Sequence, residues 1–223
     1  MRIRVIDVET TGLAPPEAVV EIGAWDLVDG SEIEEWGDVM VNPGRPIPPE
    51  ISAIHHIVDE DVAGGLTFAE AIRPMMFGVD AFCAHAAKFE RQWITEEITG
   101  GKPWICTLRC AYRVWPEAPK HNNQALRYWL KPEGLDRSIA SVAHRAGPDA
   151  YVTAFTLREL LKKATVTDLI KWSAEPAILP RVTFGKHSGA EWKTVPVDYL
   201  SWILRQSDMD EDVMHTARHW MRR

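Results

Sequence analysis

Two carboxylates near the start of the chain have the clearest chemical potential. Asp7 and Glu9 lie two positions apart in the apolar run 5–9, and alternate residues of a strand point to the same face. Two acids on one face of an apolar strand are costly unless their charge is compensated. A divalent cation does this, and oxygen ligands suit Mg²⁺ or Mn²⁺. The simpler alternative is an edge strand with solvated acids, but the small residues of 10–12 (TTG) favour close approach of a ligand to the backbone.

A histidine and a third acid lie close together much later in the sequence. His144 precedes Pro148 and Asp149, which lead into the helical run 151–161. Proline fits the first turn of a helix, and the helix dipole favours an ionised acid there. His144 would lie in the loop just before, where an imidazole can act as a general base. Taken by itself, this pattern is better explained by a loop histidine near a helix cap. Together with the earlier acids, the pattern predicts a catalytic site.

The elements that position these residues follow from hydrophobic periodicity. Strands are predicted at 2–8, 18–28, 33–41, 79–84 and 104–106. Helices are predicted at 67–77, 88–99, 107–114, 122–130, 137–145 and 149–163. Strands first and alternating units later indicate an α/β fold, a mixed sheet with helices on its faces.

The chain is predicted to divide into a body, a linker and a tail. Segment 173–180 contains two prolines and no helical pattern, so it is predicted as the linker between 1–172 and 181–223. The tail is near the lower size limit for independent folding. We therefore expect it to pack against the body or a second subunit, with an amphipathic helix at 196–206.

Composition and charge limit the possible functions. The chain has 223 residues, 46% hydrophobic and 26% charged, as in soluble globular proteins. No run approaches the roughly 20 apolar residues of a membrane span. Three cysteines are too few for a disulfide framework, which indicates a reducing compartment, the cytoplasm by default. Residues 1–61 hold 14 acidic and 3 basic side chains, whereas 62–223 hold 18 and 22. A phosphate-binding patch would therefore have to come from the later segments.

Three separated motifs resemble those of a known family. The run IDVETTGL (6–13) resembles the first motif of the DEDDh exonucleases, the family of polymerase proofreading subunits and ribonuclease T. His144 and Asp149 resemble the third motif, and 84–90 (AHAAKFE) resembles the second. In that second motif, Glu90 stands where the family has Asp, and Ala86 where it has Asn.

The resemblance extends over nearly all of the chain. Further matching segments are 53–55 with 58–62, 104–107, 184–186 (FGK) and 198–202 (DYLSW). They are similar to the exonuclease X group within the family.

The resemblance implies a ribonuclease H-like mixed five-stranded sheet and a 3′→5′ exonuclease that releases nucleoside 5′-monophosphates. Asp7, Glu9, Glu90 and Asp149 would hold two Mg²⁺ or Mn²⁺ ions, with Asp7 bridging them. His144 would take the proton from the attacking water.

The 3′ nucleotide is expected to lie against Thr10, Thr11 and Gly12. Leu13 and His55 are the candidates for contact with its base or sugar. Leu13 could act as an apolar wedge between bases, and a plain core leucine is the alternative.

Substrate and partners are less constrained. The expected partners are DNA or RNA 3′ ends, and the protein is a monomer or homodimer. DNA is favoured, but no residue distinguishes it from RNA, because the contacts that read the 2′-hydroxyl are unspecified. Because Glu90 and Ala86 depart from the family pattern, a nucleic-acid-binding module with weakened activity is a further alternative.

Three other features have competing interpretations. Cys106 and Cys110 with His121 could suggest zinc, but a fourth ligand is missing nearby, which favours core cysteines. Most of the ten tryptophans are expected in packing, although some could stack on bases. The tail could bind nucleic acid or simply dock. Its candidate binding residues are Lys186, His187, Lys193, Arg222 and Arg223.

Overall fold

A mixed five-stranded sheet forms the centre of the protein in the computed structural model, which describes residues 1–222. Its strands are β1 (Arg2–Thr10), β2 (Val19–Val28), β3 (Glu32–Met40), β4 (Ala81–Ala84) and β5 (Trp104–Cys106). Their order is β3-β2-β1-β4-β5. The first three strands are antiparallel, whereas β4 and β5 run parallel to β1. The predicted fold class is confirmed, and every predicted strand end lies within two residues of the observed one.

Helices surround the sheet. They are α1 (Pro49–His55), α2 (Asp59–Val62), α3 (Phe68–Ile72), α4 (Glu96–Thr99), α5 (Thr107–Val114), α6 (Asn123–Leu130), α7 (Arg137–Ala140), α8 (Ala146–Leu161), α9 (Val166–Ala174), α10 (Val197–Ile203) and α11 (Glu211–Met221). Short 3₁₀ turns lie at Arg73–Met76, Glu90–Gln92, Gly185–His187 and Trp192–Thr194. In the described part of the chain, none of the helices is both long enough and apolar enough to cross a membrane.

Strand β1 separates two hydrophobic cores by simple alternation. Ile3 and Val5 pack in the core shared with α8, whereas Ile6 and Val8 pack in the core on the other face. Asp7 and Glu9 continue the odd-numbered row. Both acids therefore project from the sheet face that α8 covers.

Helix α8 begins in very close contact with β2. A Cβ atom on Gly23 would lie 2.1 Å from the backbone nitrogen of Gly147, so only glycine fits there. The indole Nε1 of Trp25 also donates a hydrogen bond to the carbonyl oxygen of Gly147 at 3.1 Å. These contacts fix the position of the first turn of α8 relative to β2.

The tail has a small core of its own and also docks on the body. Its buried side chains include Val182, Trp192, Val195, Leu200, Ile203 and Val213, and Leu179 of the predicted linker packs with them. Tyr112 of α5 packs against this cluster. Arg109 of α5 forms ion pairs with Glu211 and Asp212 at 2.9 Å each. The expected packing of the tail against the body is thus observed, and the predicted helix at 196–206 is α10.

Two predicted helices are wrong over part of their length. Segment 88–99 is broken into a 3₁₀ turn and α4, with the indole of Trp93 donating to the carbonyl oxygen of Glu17 at 3.2 Å. Segment 137–145 is helical only to Ala140. The chain then needs a positive φ of 58° at His144, which a continuous helix does not allow.

Hydrophobic periodicity also fails to predict several of the observed helices. Helix α1 begins at Pro49, and proline is favourable at that first position although the surrounding prolines indicate a loop. Helices α2, α9 and α11 are also unpredicted, and α9 extends to Ala174, two residues into the predicted linker.

The cysteines are part of the packing. Cys83 and Cys110 lie in the core under α8, and Cys106 lies in the opposite core. All three are buried free thiols. Their positions agree with the interpretation as core cysteines.

Candidate active site

Three acids from distant parts of the sequence meet at the end of β1. Asp7 and Glu9 come from the strand, and Asp149 comes from the first turn of α8. One carboxylate oxygen of each lies within 4.8 Å of those of the other two, and all three residues are half-buried. Among the described residues, this is the one group of acids, histidines or cysteines close enough to share a metal ion. An all-oxygen donor set suits Mg²⁺ or Mn²⁺.

Glu90 lies near enough for its charge to act on Asp7, but it is not one of the three acids whose oxygens lie within 4.8 Å of one another. It begins the 3₁₀ turn Glu90–Gln92 and is only 2% exposed. Its Oε2 atom is buried and accepts no hydrogen bond from the described residues. A buried carboxylate oxygen without a donor is costly, and a cation at the cluster would satisfy it. The residues present therefore fit a divalent metal.

Burial and mutual repulsion raise the pKa of three of these acids. Burial, followed by repulsion from Glu90 and Asp149, raises the pKa of Asp7 well above its ordinary value. Burial, followed by repulsion from Asp149, raises the pKa of Glu9 to about 8. Burial raises the pKa of Glu90 to about 8 as well. The ionised cluster therefore requires positive charge.

The raised pKa values predict how stability responds to pH and metal. Because Glu9 and Glu90 have a pKa of about 8 when folded but about 4.3 when unfolded, the folded state binds these protons more tightly. In chelator, these two acids therefore contribute their whole stabilisation of the folded state below the unfolded-state pKa of about 4.3. That contribution is lost as the pH rises through about 8. A bound metal ion would take the place of the protons on these carboxylates. We expect the rise in Tm on adding Mg²⁺ to be larger near pH 9 than near pH 6.

Thermal unfolding with chelator or Mg²⁺ measures this at both pH values. The Asp7→Asn variant is the control, and its response to Mg²⁺ should be much smaller. An equal or larger Mg²⁺ effect at the acidic pH would contradict the prediction.

Asp149 is held in place by several donors. The backbone N–H of His144 donates to its Oδ2 at 2.7 Å. From α6, the side-chain amide of Gln124 donates to Oδ1 at 3.3 Å, and that of Asn123 donates to the Asp149 carbonyl oxygen at 2.9 Å. Thr153 in turn donates to Asn123 at 3.2 Å. The start of α6 thus fixes the carboxylate contributed by α8.

His144 lies in the loop before α8, as the sequence predicts. Its side chain is exposed, and its backbone is in the left-handed region. Since its N–H is bonded to Asp149, the loop conformation and the position of the acid depend on each other. Residue 144 is thereby held next to Asp149 through its backbone, with its imidazole open to solvent.

The structure separates the predicted substrate-contacting residues into two groups. Thr10 and Thr11 are buried, and their hydroxyls are used locally, donating to the Gly12 carbonyl oxygen and to Glu17 at 2.6 Å each. The backbone N–H of Thr11 is also used, donating to the Ala18 carbonyl oxygen at 2.8 Å, whereas Gly12 is partly exposed. Leu13 follows with its side chain 82% exposed, so the core-leucine alternative is wrong.

His55 belongs to the interior. Its imidazole is 1% exposed, and its Nδ1 accepts a hydrogen bond from the Ile57 N–H at 3.0 Å. Burial lowers the pKa of His55, which favours the neutral ring. The buried ring therefore presents almost no surface to a ligand.

Several residues that hold the start of α8 in place were not predicted from the sequence. Glu21 of β2 is buried, and it forms an ion pair with Arg145 at 2.5 Å. The signal was available, because an acid inside the apolar run 19–28 needs a partner as much as Asp7 does. Nothing in the sequence around Asn123 and Gln124 distinguishes them from an ordinary helix start.

Ala86 occupies a position that suits another residue. Its φ is 67°, a left-handed conformation that costs alanine roughly 1 kcal/mol but that Asn adopts readily. The position lines an open cleft, so a larger side chain has room. This conformation gives a physical reason for the Asn in the family motif.

We therefore expect Ala86→Asn to raise the free energy of unfolding by about 0.5–1 kcal/mol. Ala86→Gly should give a smaller gain, because glycine adds entropy to the unfolded chain. Urea denaturation measures both. A loss of stability in the Asn variant would show that the backbone here is not strained.

Comparison with known proteins places this geometry in a family. Residues 5–157 match the model of an exonuclease family. Exodeoxyribonuclease 10 of Escherichia coli strain K12 is 32% identical over 230 residues, 98% of this chain and 98% of that protein. DNA polymerase III subunit epsilon of Treponema pallidum is 30% identical over 159 residues, 66% of this chain and 70% of that protein.

A solved structure is similar as well. Exonuclease X in complex with 5′-overhanging duplex DNA has a TM-score of 0.63 and 34% identity, covering 77% of this chain and 99% of that one. The predicted resemblance is confirmed by these matches. With its mixed sheet, its acids at the end of β1 and a match over most of its length, this chain belongs to the exonuclease family.

Proposed function

We propose that this protein is a metal-dependent 3′→5′ exonuclease that acts on DNA and releases nucleoside 5′-monophosphates. The observation that carries the proposal is the convergence of Asp7, Glu9 and Asp149, whose ligand oxygens lie within 4.8 Å of one another. The relatives support DNA as the substrate, since one is named an exodeoxyribonuclease and another was solved with duplex DNA. An exoribonuclease is the alternative within the family.

Asp7, Glu9, Glu90 and Asp149 would hold two Mg²⁺ or Mn²⁺ ions, and such ions would supply charge stabilisation for the oxygens that attack and leave phosphorus. His144 accepts the proton of the attacking water as its oxygen bonds to phosphorus. The bond from phosphorus to the 3′-oxygen of the preceding nucleotide breaks, and that oxygen takes a proton from solvent. The backbone of 10–12 and the exposed Leu13 bind the terminal nucleotide.

Leu13 is proposed to separate the last base pair of a duplex. We expect Leu13→Ala to lower activity on blunt duplex DNA roughly tenfold, because the apolar contact with the opened bases is lost. Activity on single-stranded DNA should change little, since no pair has to open. Phe77→Ala is a matched control, because Phe77 is an exposed apolar residue directly after the 3₁₀ turn Arg73–Met76. An equal loss on both substrates would contradict the wedge.

One assay tests the function. The protein is incubated with 5′-labelled single- and double-stranded DNA and RNA, in Mg²⁺, Mn²⁺ or chelator, beside an Asp7→Ala variant. Stepwise shortening of DNA from the 3′ end that requires metal and Asp7 supports the proposal. Preferential shortening of RNA would favour the exoribonuclease, and metal-independent binding without cleavage would favour an inactive module.

The proposal includes the organisation of the chain. Residues 1–172 are assigned to the nuclease domain, 173–180 to the linker and 181–223 to a separate tail module. The separate core of the tail supports this division, and its ion pairs with Arg109 support a docked position. Nucleic-acid binding by the tail is the alternative, and Lys186 and Lys193 are exposed on it, whereas Arg223 lies outside the described residues. A cytoplasmic monomer or homodimer completes the proposal.

A further inference from the structure

Glu21 lies in the interior of β2 and is the most enclosed acid near the site. It is 1% exposed. Its two carboxylate oxygens accept three hydrogen bonds from the guanidinium of Arg145, two from Nε at 3.1 and 3.0 Å and one from Nη2 at 2.5 Å. Its Oε2 also accepts the backbone N–H of Ala146 at 2.8 Å. One buried carboxylate therefore binds both the residue before α8 and the first residue of that helix.

The contact with Ala146 uses the chemistry of a helix start. The first N–H groups of a helix have no partner within it, and the helix dipole favours a negative charge beside them. A carboxylate from a neighbouring strand satisfies both conditions. Glu21 thus ties α8 to the sheet at the turn that carries Asp149.

The position of Glu21 relative to the catalytic acids is also fixed. In the register of β1 and β2 it lies directly opposite Glu9. Like charges opposite each other on neighbouring strands destabilise a sheet. The guanidinium of Arg145 interacts electrostatically with Glu21, Glu9 and Asp38. One positive charge thus offsets part of the negative charge of these three acids. The neighbour of Arg145 in sequence is His144.

We propose that Glu21 and Arg145 are positioning residues, which form a clamp that sets the loop 143–146 so that His144 and Asp149 face Asp7 and Glu9. This inference rests on the proposed function for its catalytic readout. The clamp touches neither substrate nor metal. The clamp acts through the neighbours of Arg145 in the chain, His144 and Ala146. The carboxylate of Glu21 also holds the guanidinium of Arg145 in one orientation.

The test compares this ion pair with a second one that also has its acid buried on β2. Glu21→Gln keeps the size of the side chain but removes its charge. Arg145→Lys keeps the charge but loses the fork that binds both oxygens. Asp26→Asn is the matched control, because Asp26 and Arg4 form a buried pair with two bonds of 2.8 Å at the other end of β2. The four measurements are Tm, kcat, KM and Mn²⁺ affinity by electron paramagnetic resonance.

We expect Glu21→Gln to lower kcat and Mn²⁺ affinity roughly 10- to 100-fold, the usual effect of losing a residue that orients metal ligands. KM should change less than about threefold, since the clamp does not bind substrate. Arg145→Lys should shift the same quantities in the same direction by less. The double variant should be little worse than Glu21→Gln alone, because the two residues act as a unit. Asp26→Asn should lower Tm and leave kcat and Mn²⁺ affinity unchanged.

The outcomes separate this inference from the proposed function. If Glu21→Gln lowers Tm as Asp26→Asn does but preserves kcat and Mn²⁺ affinity, the clamp is merely structural and the inference is wrong. Additive losses in the double variant would also overturn it. If the wild-type protein binds Mn²⁺ without cleaving nucleic acid, the proposed function fails, and Mn²⁺ affinity of the variants still decides on the clamp.

Discussion

Replacing Asp7 by Asn is expected to abolish cleavage while making the metal-free protein more stable. Burial and repulsion from four neighbouring carboxylates together raise the pKa of Asp7. Without Asp7, several kcal/mol of metal-dependent stabilisation of the transition state should be lost, which corresponds to a decrease in kcat of at least about 10³-fold. The same substitution removes a charge that the folded state disfavours. Tm in chelator near pH 8 should therefore rise.

Initial rates on end-labelled DNA and thermal unfolding in chelator measure the two effects. Their opposite signs distinguish a functional acid from a structural one, because loss of a structural ion pair lowers both activity and stability. Glu32→Gln is the control for a surface acid on β3, and it should change neither. Activity of Asp7→Asn within tenfold of wild type would remove Asp7 from the proposed mechanism.

His144→Asn is expected to lower kcat about 10²- to 10⁴-fold, the usual contribution of a positioned general base. Asn tolerates the left-handed backbone found here, so the N–H bond to Asp149 should be kept. The Mn²⁺ affinity and KM should therefore change little. The chain offers a close control in His56, which is also exposed and has a φ of 61°.

Both variants are to be assayed on the same single-stranded DNA at saturating Mg²⁺. His56→Asn should retain full activity, since His56 is the residue directly after α1 and lies outside the acid cluster. Equal losses in the two variants, or a His144→Asn protein with wild-type kcat, would show that the imidazole takes no part in proton transfer.

The sheet could be predicted because its strands have simple periodicity. β1 alternates between two cores, and the short turn of residues 29–31, which contains Asp29-Gly30, joins β2 to β3 so that Val28 pairs with Glu32. Helix boundaries were harder wherever tertiary contacts override local preference. Segment 137–145 has a helical pattern, yet the bond from the His144 N–H to Asp149 forces the chain out of a helix.

Part of the candidate site followed from the same reasoning. Asp7 and Glu9 share a face because of the period of a strand, and Asp149 lies in a first helical turn because Pro148 fits there. That these three side chains meet is a property of the tertiary fold. Residue types alone indicated it only through the family resemblance.

The supporting residues could not be found in this way. Glu21 is recognisable as a buried acid, but its partner Arg145 lies 124 residues away in the sequence. Gln124 and Asn123 reach Asp149 only because α6 packs beside α8. Exposure is equally a tertiary property, which is why Leu13 and His55, both candidates for substrate contact, are found at opposite extremes.

Crystals soaked in Mn²⁺ offer the most direct measurement of the central claim. Anomalous scattering should show Mn²⁺ bound by oxygen atoms of Asp7, Glu9 and Asp149 at about 2.1 Å, and the peaks should vanish in the Asp7→Asn variant. A wild-type map without Mn²⁺ at these three carboxylates, at concentrations that support cleavage, would contradict the account.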